Sequence, residues 1–164
     1  MCGDPIFHGN RSPFADPGAG GVLSGLSLDG SISSLVDLYV ASLCGLGYGL
    51  RQIISALQQA GISTEHIVVS GGAAQSEVVR QILSDTTGHV VAIPESPEPV
   101  LLGAAMLGTV ASGYYPTLKA AMGAMSRIAT YYRPKRGHIE QFHQMKATAY
   151  SALQEVERLV RCRA

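Results

Sequence analysis

Residues 66–75 read His-Ile-Val-Val-Ser-Gly-Gly-Ala-Ala-Gln, a β-branched run that stops at two glycines. Ile67, Val68 and Val69 suit a buried parallel strand. Gly71 and Gly72 lack a Cβ, so the backbone there can take positive φ and can be approached closely by a ligand. A helix starting near Gln75 or Ser76 would turn its positive dipole end toward the loop. The same strand, glycine pair and helix can also be a plain structural βα turn, and these ten residues leave both readings open.

The flanking segments extend the pattern. Residues 33–60 predict one long helix: Leu35, Leu38, Leu43, Leu46, Leu50, Ile53, Ile54 and Leu57 keep helical spacing. Ser33 or Ser34 can cap it and Gly61 can end it. Gly45, Gly47 and Gly49 interrupt it at about 1 kcal/mol each relative to alanine. Either close helix–helix or helix–ligand approach or plain tolerance accounts for them. A strand at 66–70, a helix at 75–86 ended by Gly88 and a strand at 89–93 follow. The rigid loop Pro94-Glu95-Ser96-Pro97-Glu98-Pro99 leads to a small-residue helix at 100–112 ended by Gly113. Thr117 can cap a helix over 117–125, a short strand fits 127–132, and a charged helix fits 138–162. This alternation predicts an α/β fold with the glycine turn at a strand's carboxyl end, where open α/β sheets bind ligands.

Residues 1–31 are rich in Gly, Pro, Ser and Asp and read as loop. So long an irregular stretch is unusual in a complete compact domain. It points to a functional loop or to a piece of something larger. The expected organisation is a loop-rich entry segment (1–32), a nucleotide-binding subdomain (33–133) and a C-terminal helical extension (134–164).

With 164 residues, 46% hydrophobic and 15% charged, the chain can bury a core and still present a face to a partner. A net charge of +0 gives no electrostatic support to nucleic-acid or polybasic membrane binding. No run of about 18 consecutive apolar residues predicts a membrane span, and residues 1–5 lack the pattern of a signal peptide. Cys2, Cys44 and Cys162 match no zinc or disulfide spacing, so a reduced, cytoplasmic protein with Cys44 buried is expected.

Three segments together carry a resemblance. They are residues 7–13, Phe-His-Gly-Asn-Arg-Ser-Pro, with Ala15-Asp16-Pro17; Gly25-Leu26-Ser27-Leu28 leading to residues 37–43, Asp-Leu-Tyr-Val-Ala-Ser-Leu; and Ser70-Gly71-Gly72-Ala73 paired with Leu102-Gly103-Ala104-Ala105. With them the chain resembles the C-terminal part of the FGGY carbohydrate kinases, most closely their ribulokinase-like branch, over residues 6–133. The resemblance implies a ribonuclease H-like, actin-like ATPase lobe with a mixed sheet and packed helices. It implies ATP and Mg²⁺ as cofactors and direct transfer of the γ-phosphate to a sugar hydroxyl, by positioning and charge stabilisation. The substrate expected is a pentulose or pentitol such as D-ribulose or ribitol. Where the family often has Asn in the adenine region this chain has Ser76, and where its signature often ends in an acidic or amide residue it has Cys44.

The family's N-terminal lobe, with the sugar pocket and catalytic carboxylate, has no counterpart here. An inactive fragment is therefore expected, with no catalytic residue of its own. The alternative is a non-catalytic module that self-associates, most simply as a homodimer, through the face the missing lobe would cover.

Within that frame Gly71 and Gly72 are expected to line the nucleotide site. Ala73 would contact adenosine through its backbone, and Gln75 or Ser76 would bond the base or cap the helix. Gly103 stands where small side chains allow close packing or nucleotide contact. Arg11 is the candidate anion contact, or a structural arginine tying its loop down. His8 has no catalytic partner in sequence and reads as structural. Glu95 and Glu98 read as loop charges because Pro97 and Pro99 forbid a helical pair, and the spacing of His138 and His143 suits no metal site.

Overall fold

The computed structural model describes residues 2–4 and 10–161, without the side chains of Cys2–Asp4 and Ala73. His8, Phe7, Gly9 and Cys162 lie outside the described residues. Strands β1 (Cys2–Asp4) and β2 (Val22–Ser24) pair antiparallel, Gly3 opposite Leu23. The expectation of loop throughout 1–31 is corrected here. Each strand has three residues and its partner is some twenty positions away, so neither carries a periodic signal of its own.

Helix α1 (Ile32–Gln59) begins one residue earlier than expected. Its cap is Ser31, not Ser33 or Ser34: Ser31 is extended, and its Oγ accepts from the Ser34 N–H at 3.3 Å. The Asp29 carboxylate accepts from both Ser31 N–H and Ser31 Oγ–H, at 2.9 Å each, which fixes that conformation. Gly47 explains itself: it faces the fully buried Thr86 at the end of helix α2 (Glu77–Thr87), and only a residue without a side chain lets the two helices meet.

A three-stranded sheet forms the centre, in the order β3 (His66–Val68), β4 (Val90–Pro94), β5 (Ile128–Tyr132). β3 and β4 run parallel, with Ile67 opposite Val91; β4 and β5 run antiparallel, with Val91 opposite Tyr132. Residues on one face (Ile67, Val69, Val91, Ile93 and Tyr132) pack with Val79, Leu83 and Ala74 into the main core. Helices α3 (Pro99–Ala111) and α4 (Leu118–Met125) pack on each other near the strands' far end. Thr117 caps α4 as expected, accepting from the Ala120 N–H at 3.2 Å. Gly88 closes α2 in the left-handed region (φ 72°), a conformation that favours glycine.

Helix α5 (His138–Arg161) crosses α1 through a second core of Cys44, Tyr48 and Tyr150. Tyr48 Oη and His143 Nδ1 share a hydrogen bond of 2.9 Å. Gln154 Nε2 donates to Tyr150 Oη at 3.2 Å, and Gln52 Nε2 donates to Gln154 Oε1 at 2.8 Å. Arg161, at the end of α5, donates at 2.8 Å to Asp16 Oδ1 and also bonds Oδ2. That guanidinium holds the Asp16 carboxyl below the usual carboxylate range. By length and composition α1 meets the requirement for a membrane-crossing helix, with a mean hydropathy of 1.3 over its most apolar window. Its contacts with Thr86, His143 and Tyr150 tie it into the helical layer of this fold.

His143 carries a pH prediction. Burial pushes its pKa down; nearby Asp85 opposes this and Arg51 adds to it. The unfolded chain, with an ordinary histidine near 6.5, then binds the proton more readily than the folded one. Stability should fall as pH drops below about 6.5 and level off beneath the folded value. The melting temperature across pH 7.5 to 5 should lose this slope in His143→Gln; an unchanged slope would assign it to other groups.

Candidate functional site

β3 ends in the glycine turn, and the turn is built by its own backbone. The Val69 N–H still donates to the Ala92 carbonyl at 3.1 Å, so the ladder continues one residue past the strand. Gly71 then adopts φ 75°, ψ −156°, a region open essentially to glycine alone. A single 3₁₀ turn (Gly72–Ala74) follows, with Ala74 N–H donating to Gly71 O at 3.0 Å and Gln75 N–H to Gly72 O at 3.1 Å. The helix expected from residue 75 is thus divided, because Ser76 is extended and caps α2, its Oγ accepting from the Val79 N–H at 3.4 Å. Ser76 caps, and Gln75 closes the 3₁₀ turn through its backbone.

Gly72 differs from its neighbour. Its φ lies outside the left-handed region, and a Cβ placed on it would meet no atom within 4 Å. Nothing within the described chain requires glycine there. Gly103, in the second turn of α3, is likewise open on its Cβ side. It lines a cavity of about 500 Å³ with Val68, Pro94, Met106, Met122 and Arg127. Val68 stands three residues before Gly71, so the apolar cavity begins at the strand that delivers the turn.

The structure therefore gathers Gly71, Gly72, Ala73, Gln75 and Ser76 into one turn and sets Gly103 on the wall of the cavity beyond β3. Arg11 lies elsewhere. It is exposed, on a loop closed by the Asn10–Asp16 bridge and fastened to α5 by Arg161, and it does not line the cavity. A larger cleft of about 570 Å³ between α1 and α5, floored by Tyr48 and Tyr150, includes none of these residues. Among the described residues no group of three or more His, Cys, Asp or Glu could hold a metal ion.

Sequence reasoning missed Arg80. From α2 its Nε donates to the Ala74 carbonyl, and its Nη1 donates to Tyr132 Oη at 3.0 Å. Its guanidinium also lies 5.6 Å from the Tyr132 ring centroid. The available signal was faint: a cation one turn into a helix, on the side of the apolar Val79 and Leu83.

A strand, a glycine turn and a helix, beside a small-residue wall on a mixed sheet, make this an α/β lobe with its turn at a strand's carboxyl end. The FGGY family of carbohydrate kinases, C-terminal domain, matches residues 2–112. The chain belongs to the FGGY family of carbohydrate kinases. It is 38% identical, over 91% of its length and 27% of the relative's, to an FGGY carbohydrate kinase domain-containing protein of Danio rerio. It is 32% identical, over 90% of its length and 26% of the relative's, to a ribulokinase of Mycolicibacterium smegmatis. Its fold superimposes with a TM-score of 0.72 on a Plasmodium falciparum glycerol kinase solved with ADP, at 22% identity, covering 96% of this chain and 30% of that one. The chain thus spans about a quarter of the length of these curated relatives.

Proposed function

We propose that this chain is the nucleotide-binding C-terminal portion of an ATP-dependent carbohydrate kinase acting on a pentulose or pentitol such as D-ribulose or ribitol. The observation that carries the reading is Gly72: a glycine that the packing and backbone of the described residues do not require, on a turn at the carboxyl end of a parallel strand. A bound nucleotide would occupy that open space. The turn's backbone would meet adenosine, with Gln75 at its edge, and the Gly103 wall would admit the base into the apolar cavity. ATP supplies the phosphoryl group; these residues bind and orient its adenosine end, so most of their contribution is positioning.

Among the described residues no cluster of three or more His, Cys, Asp or Glu would hold magnesium, and no step is assigned to it. The sugar pocket and the catalytic base belong to the remaining length of a parent enzyme, so this chain alone is inactive. The ribulokinase likeness favours a five-carbon substrate, and a kinase of this kind with Cys44 buried in its core suits the cytoplasm.

The test is calorimetric titration of the chain with ATP·Mg²⁺ and with adenosine, beside Gly72→Val. Both ligands should bind the parent chain. The variant should melt unchanged yet lose at least about tenfold in affinity, roughly 1.4 kcal/mol. A folded parent chain that binds neither would leave the second reading, self-association as a homodimer. Leu35, Val36 and Tyr39 of α1 and Met145 of α5, all exposed, favour that outcome.

A further inference from the structure

The glycine turn is not held by its own residues alone. Its 3₁₀ hydrogen bonds are short-range and weakly directional, and two of its members, Gly71 and Gly72, bury no side chain. Ala74 anchors it in the core. Against that, Arg80 reaches back from α2 and donates to the Ala74 carbonyl, while the same guanidinium bonds Tyr132 of β5 and lies against its ring. Tyr132 lies beyond residue 112, where the family match ends.

β5 is in turn fastened to α2 along its exit. Ser84 Oγ donates to the Tyr132 carbonyl at 3.0 Å and Gln81 Nε2 to the Arg133 carbonyl at 3.1 Å. The Lys135 N–H donates to Asp85 Oδ1 at 2.8 Å. A planar guanidinium can span two acceptors in fixed directions, which a lysine ammonium cannot do with one geometry.

We propose that Arg80 is a positioning residue for the nucleotide turn, locking the Ala74 carbonyl in register with Tyr132 so that the segment after residue 112 sets the geometry of the site. The inference rests on the nucleotide reading above. Its first measurement is independent of that reading.

Amide hydrogen exchange in the nucleotide-free chain should be compared among the parent, Arg80→Met, Arg80→Lys and Tyr132→Phe. In Arg80→Met the Ala74 and Gln75 amides should exchange about tenfold faster, the scale of one charge-assisted hydrogen bond. The Val91 and Ala92 amides should hardly change. Tyr132→Phe keeps the ring and loses only the hydroxyl, so it should give a smaller effect of the same pattern. Arg80→Lys should recover less than half of the lost protection.

Affinity for ATP·Mg²⁺ should fall in the same order. Turn protection unchanged in folded Arg80→Met, or lost equally across β4, would overturn the proposal; the second pattern means a general structural role. Accelerated turn exchange in a chain whose parent form binds no nucleotide would uphold the latch and sink the nucleotide reading.

Discussion

Gly47→Ala should destabilise the chain by about 2 kcal/mol, although alanine is the better helix former. A methyl on Gly47 would stand 2.7 Å from Thr86 Cβ and closer still to its hydroxyl. The Cβ is fixed by the backbone, and the hydroxyl is engaged with the Ile82 and Leu83 carbonyls at 2.7 and 3.2 Å. Thr86 is fully buried, so no rotamer change relieves the overlap without orphaning those bonds. The two helices must part. Overpacking on this scale costs about 3 kcal/mol, and the gain of about 1 kcal/mol from replacing a helical glycine offsets only part of it. Urea unfolding measures the difference directly. Adding Thr86→Ala should restore stability only partly, because the clashing Cβ remains. Gly49→Ala, which would meet only the far end of Tyr150 at 3.1 Å, should change stability far less. If Gly47→Ala proved neutral, the contact between α1 and α2 would have to differ from the one described.

Gly71→Ala should lose about 2 kcal/mol for a different reason. Nothing lies within 4 Å of the added methyl, so space is not at issue. The cost is backbone strain, of order 1–3 kcal/mol for a residue with a Cβ held at φ 75°, ψ −156°. The variant can escape by rotating the peptide, which breaks the Ala74 N–H to Gly71 carbonyl bond and dissolves the turn. Either way nucleotide affinity should drop with stability. Gly72→Ala, at an ordinary φ and with open space, should leave stability within about 0.5 kcal/mol of the parent. Paired thermal melts and calorimetry of the two variants separate a conformational glycine from one kept clear for a ligand. Equal melting temperatures for both would mean that Gly71 is not strained.

The elements with strong local signals were legible in the sequence. The leucine and isoleucine spacing of α1, the β-branched run of β3 and the glycines after α2 and α3 located four elements within two residues. The boundaries that moved are those set by competition between hydrogen bonds. Ser31 won the cap of α1 because Asp29 orders it, and Ser76 took the cap of α2 because Gln75 was already committed to the 3₁₀ turn. The β1–β2 pair was illegible, since three-residue strands gain their identity from packing on α1 and α5.

For the site, the glycine turn and Gly103 could be read because a missing side chain is itself a signal. Arg80 could not. Its partners are a main-chain carbonyl and a tyrosine 52 positions away, a meeting that only the completed sheet arranges.

The ion pair between Asp16 and Arg161 joins residues 145 positions apart. Closing so long a span is costly in chain entropy, and little is recovered until the helices and sheet between have assembled. The clasp ties the loop bearing Arg11 to the last turn of α5, so a change that frays α5 at Arg161 also releases that loop. Whatever Arg11 meets, it meets on a loop that the last helix holds in place.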